Sequence, residues 1–238
     1  METQSVNIRG HHFVIEVGTT PNDDIHWKWV NKGTWERDTF NAIDQHVDKD
    51  TFFVDIGAHI GMVSLYASAL AHQVVAVEPD EAALSALKAN IRLNNITNIE
   101  VIEKAIADGS KLTLYSGGLG NSMSNLMGKG AVQKVIDTVA LKDILDNGSK
   151  LARTFIKVDI EGFEEKIADQ IAEASKRDNV VMLISLHKNL SGSVSKDYIS
   201  IVADSLKGFN HFENQGQAVD LDWIIQNGHH HEILCKKN

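Results

Sequence analysis

Cysteine, proline and basic charge are all scarce in this chain. Cys235 is its one cysteine, so no internal disulfide framework exists, and the usage fits a reducing, cytoplasmic compartment. Proline occurs only as Pro21 and Pro79, which excludes any Pro-Pro motif. No apolar run approaches the ~18 residues that cross a membrane. The opening Met1-Glu2-Thr3-Gln4-Ser5 lacks the basic-then-apolar order of a secretory leader. Lys and Arg number 23 against 32 Asp and Glu, a formal charge of −9. A nucleic-acid partner needs a basic stripe, so that balance disfavours one. Repeats, low-complexity tracts and Pro/Gly/Ser linkers are absent too. What is present is 238 residues, 43% hydrophobic and 23% charged, enough for one α/β domain with a full core.

From Thr51 onward, apolar runs alternate with helical patterns, the mark of βαβ units and a mostly parallel sheet. Strands are expected at 51–55, 74–78, 99–107, 132–139, 155–159 and 180–186, with an added β element at 111–115. Helices are expected at about 61–70, 81–94, 141–145, after Gly162 and at 196–206. Two further strands, 209–214 and 233–236, close the chain as an antiparallel hairpin. Residues 1–50 read as an N-terminal cap on a 51–238 domain, the two forming one structural unit. The cap holds a strand at 12–17, a turn at Pro21–Asp24 and a helix near 35–45. The 116–130 stretch carries five glycines, two methionines and three serines, too long for a simple connection. Ser122 and Ser124 within it are candidate lid contacts.

Phe52-Phe53-Val54-Asp55-Ile56 is a buried strand that breaks at Gly57-Ala58-His59-Ile60-Gly61. A second strand, Val74–Val77, ends in Glu78, 17 residues past Gly61. A glycine turn into a helix, with an acid on the next strand, is how α/β folds hold a nucleoside. A dinucleotide site wants G-x-G-x-x-G, whose middle glycine admits the pyrophosphate. Here His59 stands in that place and obstructs it. A phosphate-free nucleoside, S-adenosylmethionine, needs only the turn, and Glu78 can accept from both ribose hydroxyls.

These blocks resemble the FkbM family of S-adenosylmethionine-dependent methyltransferases. The matching stretches are Phe53–Gly61, Val77–Asp80, Leu87–Asn95 and Ile156–Glu164. The family turn usually has Asn where this chain has His59. The resemblance implies a class I methyltransferase fold: a Rossmann-like three-layer sandwich whose seven-stranded, mostly parallel sheet ends in that hairpin. It also implies cofactor contacts at Glu36, Asp55, Gly57, Ala58, His59, Gly61, Glu78, Pro79 and Ala105.

Lys157, Asp159 and Glu161 share one face of the strand at 155–159, where alternate residues point the same way. A central parallel strand is normally apolar on both faces, so such charges must pair or line a cleft. Lys157 is expected to pair with Asp55 or Asp159. Asp159 and Glu161 are candidates to orient an acceptor hydroxyl and take its proton, against a purely structural ion-pair cluster. His187, ending the 180–186 strand, is a candidate base because imidazole titrates near neutrality. The His229–His231 run is read as a polar loop, and no metal is expected, since three adjacent histidines cannot converge on one ion. Trp27, Trp29 and Trp35 either pack the cap or stack on a substrate ring.

Together these readings point to an O-methyltransferase acting on a hydroxyl of a small molecule or a sugar or glycan precursor. Three alternatives stay open: an N-methyltransferase, an NAD-dependent oxidoreductase, and a non-catalytic S-adenosylmethionine-binding module. The acceptor and the oligomeric state are unreadable.

Overall fold

A computed structural model of the protein describes residues 2–18, 23–116, 132–148, 151–187, 195, 197–228 and 231–238. Ser122, Ser124, the Pro21-Asn22 turn, His229 and His230 lie outside the described residues. Among those described, no helix is long and apolar enough to cross a membrane.

The chain opens with an antiparallel hairpin, β1 (Glu2–Ile8) and β2 (His11–Val17), followed by helices α1 (Asp23–Asn31) and α2 (Arg37–His46). Then come β3 (Thr51–Ile56), α3 (Met62–Leu70), β4 (Gln73–Val77), α4 (Glu81–Leu93) and β5 (Ile99–Ile102). Two short strands, β6 (Ala105–Ile106) and β9 (Thr138–Val139), pair in parallel, and between them β7 (Leu112–Ser116) and β8 (Val132–Ile136) form an antiparallel ribbon. Helix α5 (Leu141–Asn147), β10 (Arg153–Val158), a 3-10 turn at Phe163–Ile167, α6 (Ala168–Ser175), β11 (Val180–Leu186) and α7 (Tyr198–Ser205) follow. The chain ends with β12 (His211–Asn214), β13 (Gln217–Val219), α8 (Leu221–Asn227) and β14 (His231–Lys236).

Among the described residues the main sheet has eight strands, in the order β13-β12-β14-β11-β10-β3-β4-β5. From β11 to β5 the pairs are parallel, while β14 runs antiparallel between β11 and β12. The expected seven strands are therefore joined by an eighth, β13, at the outer edge. The terminal strands are not a simple hairpin either, because β12 turns into β13 and α8 carries the chain back to β14. The stretch expected as one strand at 99–107 divides, since β6 leaves the sheet to pair with β9. His231 opens β14 rather than preceding it.

Every residue of β3 is buried, as a central parallel strand requires. Phe53 stacks on Phe155 of the neighbouring β10, with ring centroids 5.2 Å apart. One face of the sheet packs against α5 to α8 through Ile144, Ile171, Val202 and Ile224. The other packs against the hairpin and α1 to α3, burying Val6, Ile15, Trp27, Ile43 and Leu65 with Phe53 and Phe155. The first fifty residues thus share a core with the sheet. Trp27 is inside that core, whereas Trp29 is 41% exposed.

Asn90 of α4 and Asn94, which caps its end, fasten the hairpin. Asn94 accepts the Val14 amide at 2.8 Å and donates to the Val14 carbonyl at 2.7 Å. Asn90, fully buried, accepts the Glu16 amide at 2.8 Å and donates to the Ile60 carbonyl at 3.0 Å. Side-chain amides thereby satisfy the outer edge of β2, which would otherwise present unpaired backbone groups.

Candidate active site

The carboxyl end of β3 meets the turn at Gly57 with φ +82°, a conformation that glycine adopts without a Cβ clash. A Cβ there would lie 1.9 Å from the Asp159 carbonyl oxygen, so this backbone is pressed against the end of β10. The Gly57 and Ala58 amides both donate to the Val77 carbonyl, at 3.0 and 3.1 Å, tying the turn to β4. His59 also sits at positive φ, and its amide donates to Glu78 Oε2 at 2.8 Å. Glu78 Oε1 accepts the Asp80 amide at 2.8 Å. Burial pushes the Glu78 carboxyl up to about 7, although these two amides pull it down.

A cavity of about 300 Å³ opens over this turn. Of the sequence candidates, Glu36, Gly57, Ala58, His59, Glu78, Pro79, Ala105, Asp159 and Glu161 line it. Asp55 and Gly61 do not. Asp55 is fully buried under the floor, where Ser64 Oγ donates to it at 2.6 Å. Gly61 serves helix packing, since a Cβ there would come within 2.5 Å of Leu87 Cδ1. The cavity also takes in Trp35, one of the candidate stacking rings, and Phe163 from the Ile156–Glu164 block, together with Lys104, Ile106 and Leu114, which no motif marked. They come from segments that the sequence pattern leaves unconnected and the fold brings together.

Glu36 reaches the cavity from the start of α2, in a left-handed conformation with φ +42°. Its Oε2 is buried and has no hydrogen-bond partner among the described residues. Burial lifts this carboxyl to about 8 against the opposing pull of Lys157, and Asp159, Glu232 and Asp55 add to the rise.

At the far end of the cavity, β10 stops at Val158 and its charged row continues into a turn. Lys157 Nζ lies 3.3 Å from Asp159 Oδ2 and 3.6 Å from Asp55 Oδ1, so it bridges both expected partners. Burial works against that ammonium, but the surrounding carboxylates hold it firmly charged. Glu161 takes φ +57°, and 45% of its side chain is exposed. His187 does not line the cavity; its ring stands behind, with Nε2 3.2 Å from Asp159 Oδ1 and 3.8 Å from Glu161 Oε2. Burial opposes charge on the ring, yet Asp159 and Glu164 outweigh it and raise His187 to about 11. Burial and the neighbouring Asp159 lift Glu161 to about 7. Burial alone would raise Asp159; Lys157 and His187 instead hold it well below the usual carboxylate range.

A sheet in the order β12-β14-β11-β10-β3-β4-β5, with β14 reversed and a glycine-turn cavity at the carboxyl ends of β3 and β4, is the class I methyltransferase architecture. The sequence pattern of the methyltransferase FkbM domain matches residues 55–207, more than half of the chain. The chain belongs to the FkbM methyltransferase family.

Among curated proteins, the chain is 40% identical over 81 residues to a ribosomal protein L11 methyltransferase of Clostridium perfringens (strain SM101 / Type A). That match covers 32% of this chain and 26% of the relative, so it spans about a quarter of the relative's length. Among solved structures, methyltransferase FkbM from Methylobacillus flagellatus KT is 17% identical with a TM-score of 0.48, covering 87% of this chain and 60% of that one. Precorrin-6y C5,15-methyltransferase from Geobacter metallireducens GS-15 is 14% identical with a TM-score of 0.49, covering 86% and 90%.

Proposed function

We propose that this chain is an O-methyltransferase that takes a methyl group from S-adenosylmethionine to a hydroxyl of a small molecule or sugar precursor. One observation carries the reading: a single cavity joins the glycine turn and Glu78 to the acidic end of β10. The residues suit the donor. Each Glu78 oxygen already accepts one amide and retains a further lone pair for a ribose hydroxyl. Ile106, Leu114 and Phe163 offer apolar walls for a purine, and the unpartnered Glu36 oxygen suits an ammonium. When bound, the donor supplies a methyl group already activated on a sulfonium.

The chain's own part is to align the acceptor oxygen and to receive its proton. Both Asp159 oxygens are engaged, one by Lys157 and one by His187. Glu161 is the more open carboxylate, so it is the proton acceptor, with Asp159 orienting the hydroxyl. His187 lies outside the cavity wall and positions both carboxylates.

A labelled-methyl screen of hydroxylated sugars and metabolites tests the reading directly. Transfer to at least one hydroxyl acceptor is expected. Glu161→Gln should cut turnover about 100-fold, within the usual range for general base catalysis, with donor affinity unchanged by calorimetry. Full turnover by this variant would remove Glu161 from the role. The likeness to a ribosomal protein L11 methyltransferase favours a second reading, a protein acceptor. Transfer to protein amines with none to hydroxyls would replace the first reading with it.

A further inference from the structure

Asp159, Glu161 and His187 each offer one ligating atom toward a common point beyond the carboxyl ends of β10 and β11. Those three atoms all lie within 4.8 Å of one another. Two are carboxylate oxygens and the third is His187 Nε2, 3.2 Å from Asp159 Oδ1 and 3.8 Å from Glu161 Oε2. With neutral imidazole all three are electron-pair donors, so the space between them calls for a positive charge. An octahedral ion with bonds of about 2.1 Å sets adjacent ligand atoms about 3 Å apart. Two sides of the observed triangle, 3.2 and 3.8 Å, lie somewhat above that spacing, and the third is within 4.8 Å.

A second observation lies behind the histidine. His187 Nδ1 is 3.2 Å from Glu164 Oε1, a charge contact set off the line of a formed hydrogen bond. Glu164 has no exposed surface and is fixed on both oxygens. Its Oε2 accepts the Tyr198 hydroxyl at 2.7 Å, and its Oε1 accepts the Ile160 amide at 3.0 Å. Neither Glu164 nor Tyr198 lines the cavity, so this pair is not there to touch an acceptor. A carboxylate behind the distal nitrogen favours the tautomer with its proton on Nδ1 and turns the Nε2 lone pair forward, which is how metal-ligating histidines are held.

We propose that Asp159, Glu161 and His187 form a binding site for one divalent cation. Two carboxylates with one imidazole and no sulfur suit Mn2+ and its hard-to-borderline neighbours. Three protein ligands leave further coordination positions, and two of those ligands, Asp159 and Glu161, line the cavity. Lys157 contacts the other Asp159 oxygen and competes with the ion without occupying its place. In the absence of a metal, a proton on the imidazole fills the same position. That the ion seats the acceptor's hydroxyl oxygen rests on the methyl-transfer reading; its binding does not.

The test uses the chelator-stripped full chain with no donor and no acceptor, titrated with Mn2+ and followed by the loss of the free-ion paramagnetic resonance signal. One saturable ion per chain is expected. Asp159→Asn and His187→Gln should each weaken binding more than ten-fold, with circular dichroism confirming the fold. Glu164→Gln, which leaves all three ligands in place, should weaken it by about ten-fold or more. Glu81→Gln, at an exposed carboxylate paired with Lys134, should change nothing. Absence of saturable binding, or binding indifferent to Asp159→Asn and His187→Gln, overturns the site and leaves the proton as its occupant. Mn2+ binding without methyl transfer to any hydroxyl would keep the site and sink the reading of the reaction.

Discussion

Glu78 shows how a single residue is set between folding and function. Its carboxyl is 7% exposed, and burial lifts it from 4.5 to about 7. Below pH 4.5 the folded and unfolded chains both carry the proton. Between 4.5 and about 7 only the folded chain keeps it, so the residue's contribution to stability falls as pH rises through that window. Above it the fold bears a cost on the order of 3 kcal/mol. Glu78→Gln should therefore raise the melting temperature at pH 8 and leave it nearly unchanged at pH 4. The same variant should lose S-adenosylmethionine binding by calorimetry, because an amide cannot accept from two hydroxyls as a carboxylate does. In the unaltered protein, donor affinity should rise with pH through about 7 and then level. A flat affinity profile would dissociate Glu78 from the ribose.

Some residues were legible from sequence because their chemistry and position coincide. Lys157 on a central strand had to find acids, and it found Asp55 and Asp159. His187 illustrates the limit. Its place at a strand end was readable, but Glu164 and Tyr198 behind it belong to other elements, and they are what fix the ring. A free imidazole suggested a base near neutrality, whereas two flanking carboxylates hold this one protonated well above it.

At the scale of elements, strands and helices with strong periodicity stand where their patterns put them from β3 through β11, except that 99–107 and 132–139 each divide in two. Those that failed to announce themselves are short or exposed. Strand β1 buries only Val6 and Ile8 along its length, and β13 has three residues with none buried. Neither gives the alternation that marks a strand. The division of 99–107 into β5 and β6 follows from pairing with β9, a long-range event that local sequence does not record. The tightest element-level constraint is the approach of β3 to β10 at Gly57. Gly57→Ala adds a Cβ against the Asp159 carbonyl and also strains a left-handed backbone. A loss of roughly 2 kcal/mol or more in urea unfolding is expected. A loss below about 0.5 kcal/mol would mean that the two strand ends part easily.

For the whole molecule, the informative joint is between the N-terminal hairpin and the donor turn. Asn90 and Asn94 lie in the Leu87–Asn95 block, whose resemblance to the family carried no physical reason in the sequence alone. The structure supplies one, since these side chains stand in for a neighbouring strand along β2. Asn90→Ala strands a part-buried Glu16 amide and a buried Ile60 carbonyl. It should destabilise the protein by about 2–6 kcal/mol in urea, at roughly 1–3 for each orphaned group. A neutral result would show that water replaces the side chain without loss.

Because one amide group holds both the hairpin edge and the turn, the two cannot loosen independently. Ligand that tightens the turn suppresses openings that free Asn90, and with them the exposure of Glu16 to solvent. In hydrogen–deuterium exchange, S-adenosylmethionine should thus slow the Glu16 amide, which touches no part of the cavity, and Asn90→Ala should abolish that slowing. The hairpin would then act as a remote gauge of donor occupancy.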